Sequence, residues 1–147
     1  MSLVQSRFDS EECFGEYGIY FSNDEFMPVT GSPHEGYTFS SRVSVAPFVS
    51  KHPDAWVPID EQCRVEHGDL SVMAGGTSWE GDGFIAVRST KNGALIWMLH
   101  LCASEVFREV AFESDAVVAR SSEYPFTCHL RIPVNNPEML SVKQIET

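Results

Sequence analysis

Cys63 and His67 lie four residues apart, and His100 and Cys102 lie two apart. Together they spell a Cys2His2 set that zinc would accept. In a strand, residues i and i+2 share a face about 7 Å apart and can chelate one ion, whereas i and i+4 stand about 13 Å apart and cannot. Cys63 and His67 would therefore need a helix or a bend, and the residues around them suggest neither. Buried cysteines and ordinary histidines are the plainer expectation. No metal and no other cofactor is expected.

Nucleophilic and phosphate-binding chemistry find as little. Cys128 and His129 are adjacent, so in a strand they point to opposite faces and make no dyad. Gly75-Gly76-Thr77-Ser78 lacks the Lys-Ser/Thr ending of a phosphate loop. No Gly-x-Ser-x-Gly elbow, His-Glu-x-x-His pair or calcium loop occurs.

The most site-like stretch runs from Gly75 to Gly83, Gly-Gly-Thr-Ser-Trp-Glu-Gly-Asp-Gly. Its glycines make the backbone permissive, and Trp79, Glu80 and Asp82 supply an aromatic and two acids on an expected loop. Exposed aromatics on loops are typical of recognition surfaces, which makes these three the candidate binding residues. The blander alternative is a connection whose glycines serve turns and whose Trp79 tucks into the core. Acid–base work by Glu80 or Asp82 is the third reading.

The elements that position these groups read as short β-strands. Residues 84–88 form one strand, Lys91-Asn92-Gly93 a turn, and Ala94 to Leu101 the returning strand. Asn-Gly suits the two positive-φ positions of a type I′ hairpin. The returning strand is apolar at nearly every position, so it should be interior and buried on both faces, with Trp97 in the core. Ala116 to Ala119 and Phe126 to Ile132 follow, the latter alternating cleanly between apolar and polar. Between Leu101 and Ala116, Ser104 could cap a helix beginning at Glu105, but strand spacing on either side favours a strand over Arg108 to Glu113.

Before residue 81 the pattern is looser. Tyr17 to Phe21, Tyr37 to Val45, Gln62 to His67 and Leu70 to Ala74 resemble strands, interrupted by five of the chain's 8 prolines. No linker divides the 147 residues, so one domain is expected. The predicted fold is all-β, or mainly β with short helices: an antiparallel meander forming a sandwich or partly closed barrel. Gly83 to Trp97 locally resembles part of one blade of a quinoprotein-type β-propeller. No second copy is present, and one blade cannot make a propeller.

Charge narrows the partners. The chain holds 21 acidic and 10 basic residues, a formal net charge of −11. Residues 1–80 carry 13 acids and 4 bases, or −9, leaving −2 on the remainder. Such a surface repels a phosphate backbone and an anionic bilayer, so neither nucleic acid nor membrane is an expected partner. The excess acts as a solubility device or attracts a basic protein. No apolar run approaches the roughly 18 residues of a membrane span, and the N-terminal stretch lacks the apolar core of a secretory signal. The cytoplasm is the expected compartment, with Cys13, Cys63, Cys102 and Cys128 as free thiols. Two function classes follow. One is a non-catalytic binding protein, of inhibitor or immunity type, for a basic partner. The other is a small-molecule binder or enzyme with a pocket inside the sandwich or barrel.

Overall fold

The computed structural model describes residues 2–79, 81–123 and 126–146. Strand accounts for 58% of the chain and helix for 11%, so β-structure dominates as the sequence predicts. In chain order the elements are α1 (Leu3–Asp9), β1 (Glu12–Phe14), β2 (Gly18–Tyr20), β3 (Glu25–Ser32), β4 (Gly36–Phe39), β5 (Val43–Ser44) and α2 (Ala46–Lys51). Then come β6 (Trp56–His67), β7 (Leu70–Thr77), β8 (Gly83–Ser89), β9 (Leu95–Leu101) and β10 (Phe107–Glu113). The chain ends with β11 (Ala116–Glu123), β12 (Phe126–Pro133), a 3-10 turn (Pro137–Met139) and β13 (Ser141–Glu146).

Two antiparallel sheets result. One follows the order β1-β6-β7-β8-β9-β2-β3-β4, with β5 also pairing β3; the other follows β10-β11-β12-β13. They stack face to face as an open sandwich, not a closed barrel. β6 to β9 form one antiparallel meander and β10 to β13 another, whereas β1 joins β6 and β2 joins β9 across long stretches of sequence; the chain changes sheets between Leu101 and Phe107. Ala103 (φ +58°) and Glu105 (φ +63°) turn it there. Two left-handed, non-glycine residues so close together are incompatible with a helix. Ser104 is accordingly buried in the crossover and caps nothing. The strand reading of the segment is the one observed.

Parity along each strand builds two cores. Ile85, Val87, Trp97, Leu99 and Leu101 face the four-stranded sheet and meet Phe107, Val117 and Leu130. Phe84, Ala86 and Met98 face the other way and are covered by Val4 and Phe8 of α1, with Phe14, Phe26 and Trp56. β9 lies between β8 and β2, the interior position expected for it, with only Ile96 exposed. Trp97 is 1% exposed, and its indole N–H donates to the Val134 carbonyl across the sandwich at 2.8 Å.

The β8–β9 turn corrects a sequence expectation. Only Gly93 has positive φ (+73°), so the loop is not type I′. It is longer, with the Ser89 N–H bonding the Ala94 carbonyl around Thr90 to Gly93. The Asn92 carboxamide accepts from the Ala94 N–H at 2.9 Å, a use of Asn that does not need the left-handed region. Gly75 to Gly83 is likewise not one loop. Gly75, Gly76 and Thr77 belong to β7, and Gly83 opens β8, leaving Ser78 to Asp82 as the connection. Gly75 serves close strand pairing, since a Cβ there would lie 1.9 Å from the Asp60 carbonyl oxygen.

Several first-half strands also have different bounds. Tyr37 to Val45 splits into β4 and β5, and Gln62 to His67 is the end of the twelve-residue β6. α1 escaped the pattern because it is only seven residues long. Its free N–H groups are capped both locally and from afar: Ser2 at the N-cap accepts from Gln5, while Asp24 accepts from Leu3 and Val4. Among the described residues, no helix is long and apolar enough to cross a membrane.

Candidate functional site

The Ser78–Asp82 connection lies at the end of the β7–β8 hairpin, beside the residues that lead into β2. Trp79 is 42% exposed. Its ring meets Tyr17 edge-on at 6.2 Å between centroids and His100 at 5.9 Å. Gly15 lies beneath, where a Cβ would come within 2.8 Å of the indole. The tryptophan is thus fixed on one side and open on the other, neither tucked into the core nor free. Glu80 lies outside the described residues.

Asp82 is 5% exposed and turns inward. One carboxylate oxygen accepts from the Tyr17 hydroxyl at 2.7 Å, and the other from the Ala103 N–H at 3.2 Å. Burial first, then this carboxylate, push the Tyr17 phenol far above its usual range, so it remains a donor. Asp82 thereby ties β2's approach and the sheet crossover to the start of β8. Gly81 (φ +84°) makes the turn that brings it there.

His100 completes the cluster and is fully buried. Its Nδ1 lies 3.1 Å from the Phe14 carbonyl, which can only accept, so Nδ1 carries the proton. Nε2 is then a bare lone pair 3.9 Å from an Asp82 oxygen, without a hydrogen-bond partner among the described residues. Acceptor faces acceptor, so with the imidazole neutral the pair is not a salt bridge. Protonation would convert it into one, but burial lowers the His100 pKa below its usual value despite opposing pulls from Phe14 and Asp82. The imidazole has the lone pair of a general base. A base must reach its proton, however, and Tyr17 and Trp79 cover this one.

The zinc and dyad candidates do not converge. Cys63 and His67 are both in the extended β6, whereas His100 is enclosed behind Trp79. Among the described residues, no group of three or more His, Cys, Asp or Glu is placed to hold a metal. All four cysteines are free thiols. Burial pushes the Cys13 thiol up to about 12 and also raises Cys128. On β12, Cys128 faces the core while His129 faces outward, as adjacent strand positions must.

Sequence reasoning did not associate Tyr17 and His100 with the Trp79 loop. The signal existed in the β8–β9 hairpin, whose register sets Phe84 opposite His100 and Gly83 opposite Leu101. Asp82 is one step beyond. Tyr17 arrives only through the pairing of β2 with β9, a contact distant in sequence. The molecule is thus an open antiparallel sandwich with a fixed, half-exposed tryptophan over a half-buried Tyr17 and the buried Asp82 and His100. Comparison with family models, curated proteins and solved structures yields no match.

Proposed function

We propose that this protein is a non-catalytic binding protein, of inhibitor or immunity type, that docks a basic protein partner around Trp79. One observation carries the reading: Trp79 presents 42% of its surface while Tyr17, His100 and Gly15 hold its other side. A large aromatic held in place loses little side-chain freedom on binding, which suits an anchor. Exposed Glu16 and Asp54 flank Gly15 and Ala55, which pack together beneath the indole. They belong to the part of the chain that carries −9. Charge of this sign steers a basic partner and repels nucleic acid. The four free thiols fit a reducing compartment such as the cytoplasm. An internal small-molecule pocket has less support, because Trp97, Leu99, Phe107 and Leu130 fill the space between the sheets.

The test is capture from the native host with wild-type and Trp79→Ala baits, followed by association kinetics across salt. A basic protein should be retained by the wild type, with an on-rate that falls as salt rises through the range where the Debye length is about 10 Å. Trp79→Ala should raise its off-rate about 30-fold, the scale of an interface anchor. A salt-insensitive on-rate together with an unchanged off-rate would remove both steering and anchor.

A further inference from the structure

The outer face of the four-stranded sheet runs against the charge of the rest of the molecule. Strand register sets Glu109 opposite Arg120, Arg120 opposite His129, and His129 opposite Lys143. One row therefore crosses all four strands with Cβ atoms about 5 Å apart. Three of its four members are basic side chains. Arg131 stands two residues along β12 from His129, on the same face. Arg120 and Lys143 flank His129 within this row, in a chain that has only 10 Lys and Arg against 21 acids. Solubility alone asks for no such concentration.

A cleft of about 660 Å³ lies over the row, with Ala111 and Val118 adding apolar surface between the charged groups. That volume is in the ordinary range for a small-molecule site. Arg120 reaches Glu109 at 3.7 Å and Arg131 reaches Glu113 at 3.5 Å, both in exposed pairs. Exposed pairs are weak, so a ligand anion can displace these acids from the arginines. Lys143 makes no ion pair among the described residues. His129, flanked by Arg120 and Lys143, is neutral near pH 7: partial burial first, and then both cations, lower its pKa against the pull of Glu109.

The geometry points to this cleft as a binding site for a small anion bearing phosphate or carboxylate groups, held by Arg120, Arg131 and Lys143. Size follows from the surroundings. The lining sets three bases against two acids, whereas the whole chain carries −11. A nucleic acid or acidic protein would run beyond the patch onto like charge, but a ligand that ends inside the cleft does not.

Pyrophosphate and citrate are to be titrated separately into the full chain by calorimetry at low salt. The comparison is with an Arg120→Gln/Lys143→Gln double variant and a Lys51→Gln control on α2. All three substituted side chains are exposed, so the fold should be retained, as circular dichroism would verify. At least one anion should bind saturably, about tenfold or more weakly to the double variant, and unchanged to the control. Pyrophosphate alone would assign phosphate, and citrate alone would assign carboxylate. Absence of saturable binding of either at millimolar concentration overturns the proposal. Equal weakening in Lys51→Gln does so too, as does tighter binding of a DNA oligonucleotide than of either anion.

Discussion

Trp97→Ala probes the joint between the two sheets. The indole is 1% exposed within the inter-sheet core, and its N–H bonds the Val134 carbonyl at 2.8 Å. A buried aromatic of this size removes about 200 Å² from water, worth about 5 kcal/mol at 25 cal/mol per Å². That figure is an upper bound, since the unfolded chain already hides some apolar surface. The substitution also leaves the Val134 carbonyl without its donor, which adds about 1 kcal/mol or more unless water enters the new cavity. The expected loss is about 3–5 kcal/mol, in line with large aromatic deletions. With a urea slope of about 2 kcal/mol/M, the unfolding midpoint falls by about 2 M.

Such a loss approaches the whole stability of a typical domain, so Trp97→Phe is the companion variant. It keeps a ring in the core but loses the donor and part of the volume, and should cost about 1–3 kcal/mol. Urea melts followed by far-ultraviolet circular dichroism measure both. A loss below about 1 kcal/mol for Trp97→Ala would refute the reasoning, because that is the scale of an exposed site.

Asp82→Asn keeps the shape of the buried cluster but weakens its charge-assisted bond to Tyr17, and should cost about 1–3 kcal/mol in urea melts. A cost within 0.5 kcal/mol, roughly that of a surface change, would mean Asp82 does not hold the loop. His100 has a folded pKa below its unfolded value, so the unfolded chain takes up this proton first. Its contribution is therefore full above about pH 6.5, is lost as pH falls below that, and levels off once the folded pKa is passed. Stability measured between pH 7.5 and 5.5 should fall more in the wild type than in His100→Gln; equal pH dependence would contradict it. Thiol titration after denaturation without reductant should count four, while native Cys13, pushed up to about 12, should alkylate slowest. Two or zero reactive groups would contradict the free-thiol assignment.

Local patterns in the sequence carried the second half of the chain well. An apolar run from Leu95 to Leu101 can only be interior, because neither face has enough polar groups for water. The alternation from Phe126 to Ile132 likewise dictates one buried and one wet face, which holds from Cys128 onward, whereas Phe126 at the strand's start is 37% exposed. Charge, thiol count and the prominence of Trp79 were equally open to reading. The first half was harder. α1 is too short for a periodicity to emerge and depends on Asp24 for its cap. β1 has three residues, paired to β6 more than forty positions away.

Long-range pairing, by contrast, sets where chemistry-bearing side chains meet. Asp82 read as a loop acid, yet it is buried because Tyr17 and the Ala103 N–H, both remote in sequence, satisfy it. His100 read as a possible metal ligand, yet the Phe14 carbonyl fixes its proton and Trp79 covers it. The basic row on β10 to β13 is invisible along the chain, since Glu109, Arg120, His129 and Lys143 are each at least nine residues apart. Periodicity specifies which face of an element is buried. Register and sheet order specify which faces become neighbours, and those depend on pairings that no local window contains.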